Sequence, residues 1–317
     1  MIEPLRSIVL VIGVLAVLLT TAALLVWFER RLLGRWQERY GPNRLGPFGI
    51  FQTVADTIKL LTKEDWIPPF ADKPVFVIAP AVIMVTVLMA FAIVPFAPGL
   101  QVVDLNVGLL FFLGMSSLGV YSVVLAGWSS NNKYALIGSL RAAAQMLAYE
   151  VFMGLSLMGV VMLAGSFSLV RIVDAQRGLW FCVPQILGLV VFANAGLAET
   201  RRLPFDLPEA ESEIVAGYHS EYSGMKFGMF FIGEYLGVTL ISAMVVTLFF
   251  GGWRGPWLPP VVWFALKTFV LVCGVILLRA TLPRPRFDQL MAYGWKVMLP
   301  LALVNLIMTG ALVVARG

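Results

Sequence analysis

Eight runs of apolar residues, each about 20 residues long, constrain this chain more than anything else it contains. A run of that length matches a helix crossing a hydrocarbon core of about 30 Å, and in lipid every backbone N–H and C=O must be bonded within its own segment. The runs are Ser7–Phe28, Val75–Pro95, Leu105–Gly127, Leu140–Gly165, Val183–Ala198, Gly228–Gly251, Pro260–Ala280 and Val297–Val314. They predict an all-α integral membrane protein with eight transmembrane helices, the fifth being the shortest. Composition agrees, with 60% hydrophobic and 13% charged residues, against roughly 25% charged in soluble domains. The first run exceeds a signal-peptide core, lacks a small-residue cleavage site and precedes Glu29-Arg30-Arg31, so it is kept as a span. No repeat or charged linker interrupts the pattern, and residues 1–317 are expected to form a single polytopic membrane domain.

Loop charge sets the expected orientation. Of the 23 Lys and Arg residues, those from Arg30 to Lys73, with Lys133, Arg141, Arg201, Arg202, Lys226, Arg279, Arg284, Arg286 and Lys296, follow the first, third, fifth and seventh runs. Only Arg6, Arg171, Arg177, Arg254 and Arg316 fall on the other side, and Lys267 lies within a run. The positive-inside rule then puts both termini on the external side and the loop after the fifth run in the cytoplasm. The basic residues form neither a basic helix nor an aromatic platform, which argues against nucleic acid as a partner.

The first long loop has a pattern of its own. Phe51, Val54, Ile58 and Leu61 recur at helical spacing while Gln52, Asp56, Lys59 and Lys63 take the other side, predicting an amphipathic helix in the bilayer interface, ended by Trp66 and Pro68-Pro69.

Chemistry concentrates in the loop Glu199–Gly228, where Asp206, Glu209, Glu211, Glu213 and Glu221 follow Glu199 and precede Glu234. Asp206-Leu207-Pro208-Glu209 has a capping residue, a first-turn proline and an acid three residues after the cap, predicting a helix start on which Glu209 and Glu213 share a face. Two carboxylates about 6 Å apart at an effective dielectric near 20 repel by about 2.8 kcal/mol, enough to make such a cluster titrate as a group. The loop lacks the alternating Asp/Asn/Gly pattern of calcium sites. Within the runs stand Glu150, Glu234 and Lys267, with Glu29 and Glu199 at their ends. A charge at the bilayer centre costs at least about 2.5–3.5 kcal/mol, so each should face the bundle interior, and each is a candidate for proton handling; the alternative is a bonded group that only ties helices together. No acid continues to the external face, so a straight-through proton channel is not expected. Cys182, Cys273 and the single His219 supply neither a Cys-x-x-Cys site nor a pair of haem ligands, so no redox centre, catalytic group or metal site is assigned to the chain.

Taken together, the segments F-E-R-R-L-L-G (28–34), R-Y-G-P-N-R-L-G-P (39–47), A-D-T-I-K-L-L-T-K-E-D (55–65), W-S-S-N-N-K-Y-A-L-I-G-S-L-R-A-A-A-Q (128–145), Y-E-V (149–151), the acidic loop and L-P-R-P-R-F-D-Q-L-M (282–291) resemble the H subunit of bacterial respiratory NADH:quinone oxidoreductase, complex I. The resemblance implies a membrane subunit forming most of the membrane part of a quinone tunnel, bordered by Glu29, Arg30, Asp56, Lys59, Phe227 and Arg279. It further implies an acidic path through Glu150, Glu199, Asp206, Glu209, Glu211, Glu213 and Glu234, to which the loop position of Glu221 adds one more acid. Quinone, expected to be ubiquinone, would be the substrate, and flavin and iron–sulfur clusters would reside in hydrophilic partner subunits beside further membrane subunits. The family commonly has E-T-N-R where this chain has Arg201, which puts an extra cation beside Glu199; Ala280, Pro285 and Phe287 also depart from its usual pattern. The alternatives are the homologous anchor of a hydrogenase or formate hydrogenlyase, and an independent ion transporter.

Overall fold

The computed structural model describes residues 2–316, and the side chains of all of them except residues 2–6, 211, 212 and 316. The Glu211 carboxylate, expected on the acidic path, and the Arg6 and Arg316 side chains lie outside the described residues. Among the described residues the chain is a helical bundle whose one extended feature is an isolated bridge between Ala97 and Leu100. In chain order the helices are α1 (Ile2–Trp36), α2 (Gln52–Thr62), α3 (Lys73–Phe91), α4 (Gly108–Ser129), α5 (Lys133–Ala164), α6 (Leu169–Ala175), α7 (Ile186–Glu199), α8 (Glu211–Ile214), α9 (Gly224–Phe249), α10 (Pro260–Thr281), α11 (Phe287–Tyr293) and α12 (Leu299–Arg316).

Seven described helices are long and apolar enough to cross a membrane, with Phe287–Ala315 counted as one. The remaining expected span, the fifth, is α7, whose 14 residues reach only about 21 Å as a helix. It is the shortest, as expected, because it ends against the turns that carry the acidic loop. Several helices outrun their apolar runs. α1 continues through Glu29-Arg30-Arg31 to Trp36, and α5 starts at Lys133, where the Asn132 side chain accepts the Tyr134 N–H at 2.9 Å. The hydrophobic pattern marks the stretch that lipid requires; the polar extensions are stabilised by caps and good helix formers. The last span likewise starts ahead of its apolar run, through α11 and a π-turn, Gly294–Met298, where Gly294 lies against the Phe152 and Tyr149 rings.

α9 is the axis. Two-thirds of its apolar window (67%) is buried, against 17% for α1, and α1, α2, α3, α7 and α10 pack on it. α5 organises the other half, against α4, α7 and α12. α2 has the predicted helix, with an orientation suited to an interface: Phe51, Val54, Ile58 and Leu61 are exposed while Gln52, Asp56 and Leu60 face the protein.

The expected helix start at Asp206 does not form. Residues 206–210 make a single turn, with the Ala210 N–H donating to the Asp206 carbonyl at 3.3 Å, and α8 begins only at Glu211. The Asp206 carboxylate that would cap a helix is drawn instead to Arg284, which follows α10 in the chain and lies 2.6 Å away. Glu209 therefore lies outside any helix and shares no helical face with Glu213. The segment is held close to α5: a Cβ on Gly138 would lie 2.7 Å from the Gly217 Cα and 2.9 Å from the Pro208 carbonyl oxygen. Only glycine permits this approach, and Gly217 itself has φ 57.

Candidate functional site

Several of the candidate side chains gather where α1, α9 and α10 meet the acidic loop. Glu29, in the turn of α1 that follows the apolar run, is buried, and Arg202 Nη1 donates to both its carboxylate oxygens at 3.0 Å. Arg279, in the last turn of α10, pairs with the same carboxylate. The Arg202 Nε side pairs with Glu234 of α9, and the guanidinium lies 4.2 Å over the Tyr235 ring. Two arginines and two glutamates thus form a closed, charge-balanced cluster. Breaking such a buried pair by removing one partner costs about 3–5 kcal/mol, because the other charge stays buried.

An apolar cleft of about 810 Å³ runs between α1, α9 and α10 toward this cluster, lined by residues such as Val14, Leu18, Phe264 and Phe269. Leu25 and Val272 wall both this cleft and a small cavity bounded by Glu29, Arg202 and Arg279. An elongated apolar group in the cleft would end at the ion cluster. Beside it, Arg30 and Lys59 hold Asp56 at 3.0 and 3.9 Å, joining α1 to α2 at an exposed rim. Phe227 stands apart from these groups, its ring 5.4 Å from His219 and 6.0 Å from Phe231.

On its other side Glu234 borders a second cavity, of about 60 Å³, between α3, α4, α7 and α9. That is room for a few water molecules. Glu199, Arg201, Ser116 and Thr86 also line it. Consecutive serines of α4 then hold two acids: Ser116 donates to Glu199 and Ser117 to Glu150, each at 3.0 Å. Glu29, Arg202, Glu234, the cavity, Glu199 and Glu150 therefore follow one another from α1 to α5.

The remaining loop acids divide by environment. Burial, reinforced by the charges of Glu234 and Asp206, pushes the Glu209 carboxyl up to about 8. Burial also raises Asp206, against the opposing pull of its Arg284 bond. His219 is lowered to about 4, by burial and then by Arg201. At neutral pH its contact with Glu209, 3.8 Å from Nδ1 to Oε1, is thus one between uncharged groups and too long for a hydrogen bond. Glu213 is half-exposed and bound to Arg141 at 2.5 Å, and Glu221 accepts from Asn132 at 2.7 Å. These two sit at the rim, apart from the Glu29 to Glu150 sequence.

Sequence reasoning missed the centre of the site. Arg202 counted only as a loop cation, yet it is 4% exposed; its signal was its place between an apolar run and an acidic loop, a poor location for a mere topology marker. Ser116 and Ser117 gave no signal beyond being adjacent hydroxyls in an apolar run. Lys267, an intramembrane candidate, has a structural role: Nζ donates to the carbonyls of Phe250, Gly252 and Arg254 at 2.7, 3.2 and 2.6 Å, closing the end of α9, and lies 4.4 Å over the Trp180 ring.

Comparison with known proteins agrees with this picture along nearly the whole chain. A family model described as NADH dehydrogenase matches residues 9–310. A protein of Methylococcus capsulatus, named as the H subunit of an NADH-quinone oxidoreductase, is 65% identical over 302 residues, which are 95% of this chain and 96% of that protein. A protein of Rhodopseudomonas palustris, named as the second H subunit of an NADH-quinone oxidoreductase, is 59% identical over 306 residues, 96% of each chain. The chain belongs to the NADH dehydrogenase family, among the H subunits of NADH-quinone oxidoreductases.

Proposed function

We propose that the chain is the membrane subunit of a proton-translocating NADH:quinone oxidoreductase in a bacterial inner membrane, a single polytopic domain that receives quinone and passes the electrostatic consequence of its reduction to a row of carboxylates. The observation that carries this is Glu234, which pairs with Arg202 on the side of the apolar cleft and borders the Glu199 cavity on the other. The isoprenoid tail of a quinone such as ubiquinone fits an apolar cleft, and its polar head fits the charged groups at the end. Glu29, Arg30, Asp56, Lys59, Phe227 and Arg279 border the quinone path in this reading. Glu150, Glu199, Asp206, Glu209, Glu211, Glu213, Glu221 and Glu234 make up the proton path, with Glu213 and Glu221 at its rim.

Reduction of the head requires protons and alters the charge facing Glu29 and Arg279. Arg202 transmits that change, because a weaker hold on Glu29 leaves it more strongly paired with Glu234. Protons move along Glu234, Glu199 and Glu150 and onward to neighbouring membrane subunits. Hydrophilic partner subunits with flavin and iron–sulfur clusters supply the electrons. Both termini lie in the periplasm and the acidic loop faces the cytoplasm, an orientation that the basic residues of the loops support. The relatives carry the oxidoreductase name, which favours this reading over a hydrogenase-type anchor.

The test is NADH-driven quinone reduction and proton uptake in membrane vesicles of a strain deleted for this chain, with and without its restoration. Both activities are expected to vanish and return together. Persistence of NADH–quinone activity in the deleted strain, with loss of hydrogen or formate metabolism, would transfer the chain to the hydrogenase-type assembly.

A further inference from the structure

Arg201 is a buried cation that, among the described residues, forms no ion pair, whereas its neighbour Arg202 binds two carboxylates. The residue is 5% exposed, and Nε and Nη1 are buried without a hydrogen-bond partner. Its guanidinium lies 5.2 Å over the Tyr218 ring and borders the cavity of about 60 Å³ that separates Glu234 from Glu199. The backbone at Arg201 has φ 56, a left-handed conformation that costs a non-glycine residue and that asparagine adopts more readily. An arginine is thus held under a backbone penalty beside a space of water size, with two of its donors buried and unpartnered.

The charged and titratable groups that face it are Glu199 from α7, Glu234 from α9, and Glu209, Tyr218 and His219 from the loop; Glu150 of α5 stands behind Glu199. α3 and α4 contribute only Thr86 and Ser116 as polar groups on the cavity wall. The Glu199 Oε2 oxygen is also buried and unpartnered. Buried polar groups of this kind are bonded through ordered water.

We propose that Arg201 is the electrostatic gate between Glu234 and Glu199: its guanidinium orders the water that joins the two carboxylates and repels any excess proton not carried by one of them. A hydronium in the cavity would stand next to a fixed positive charge in a poorly screened space. A proton therefore crosses only when Glu234 gives one up while Glu199 is free to take it, so transfer follows the state of the Glu29, Arg202 and Glu234 cluster and passive leak is suppressed. Arg201 is a positioning residue in this scheme; it neither touches quinone nor carries the proton. The inference rests on the function proposed above.

The test uses the whole complex in inverted vesicles, comparing wild type, Arg201→Asn and Arg201→Lys for NADH–quinone reduction, protons moved per electron, and decay of an imposed pH gradient without NADH. Asparagine relieves the backbone penalty, so the variant is expected to assemble. The gate predicts that Arg201→Asn keeps quinone reduction within about twofold while protons per electron fall and passive decay rises by at least about twofold, and that Arg201→Lys restores both. Unchanged coupling and leak in Arg201→Asn overturn the gate, as does a proportional loss of reduction and proton movement that lysine does not rescue. If wild-type vesicles show NADH–quinone reduction that persists when this chain is deleted, the underlying function fails, and the gate with it.

Discussion

Arg202 grips Glu29 through both carboxylate oxygens at 3.0 Å, joining residues 173 apart in the chain. Because the same guanidinium also pairs with Glu234, its removal leaves Glu234 largely buried without its ion-pair partner and Glu29 with Arg279 alone. Arg202→Met is expected to lower stability by about 3–5 kcal/mol and to abolish NADH–quinone reduction. Glu29→Gln, which leaves Arg202 with Glu234, should be the milder change. A thermal inactivation series on the assembled complex with both single variants and the double variant measures the coupling, which should exceed about 1 kcal/mol.

Glu209 gives a pH signature. Its carboxyl is raised from 4.5 to about 8, chiefly by burial. Between those values the folded chain keeps a proton that the unfolded chain releases, so the stability from the neutral carboxyl is full below 4.5 and lost as pH rises through about 8. The thermal inactivation midpoint of the complex should fall from about pH 5 to pH 8 and level off above, and Glu209→Gln should flatten that fall. A parallel decline in the variant would assign the pH dependence elsewhere.

Lys267 should matter to folding and not to coupling. Lys267→Met removes three donors from the carbonyls that close α9, at an expected cost of about 2–3 kcal/mol. Assembled complex should be less abundant, while the protons moved per electron by the complex that does assemble stay as in wild type. A drop in that ratio would return Lys267 to the proton path.

A buried amide and hydroxyl network ties α7 to α12: Asn305 donates to Gln185 at 2.9 Å, and Gln185 to Thr309 at 2.6 Å. A Cβ on Gly159 would lie 2.4 Å from the Gln185 Oε1, whereas one on Gly154 of the same helix meets nothing within 4 Å. Gly159→Ala should cost about 1–3 kcal/mol and Gly154→Ala should cost little, a contrast that a thermal shift of the purified complex reads directly.

The parts legible in the sequence were those with a local signal. The repeat of Phe51, Val54, Ile58 and Leu61 marked α2, and the apolar runs marked the membrane helices, because period and length are properties of neighbouring residues. The Asp206 to Glu209 signature was equally local and failed, since Arg284, from after α10, took the carboxylate that would have capped a helix. Acids within apolar runs or at their ends pointed to Glu150, Glu234 and Glu199 through the cost of burying charge. Arg202 and the serines that hold Glu199 and Glu150 were not legible, because what matters about them is a partner on another helix. For Lys267 the same cost argument led to a candidate site, when backbone carbonyls at the end of α9 were enough to account for the charge.

Glu234 stands between the ion cluster at the end of the apolar cleft and the carboxylates beyond the cavity, so coupling should depend on it more than on any acid at the rim. Proton movement per electron in NADH-energised inverted vesicles, with Glu234→Gln beside Glu213→Gln, reads that dependence. Glu234→Gln is expected to lower proton movement at least about tenfold, and by more than it lowers quinone reduction, while Glu213→Gln has the smaller effect. Wild-type proton movement and quinone reduction in Glu234→Gln would contradict this role for Glu234.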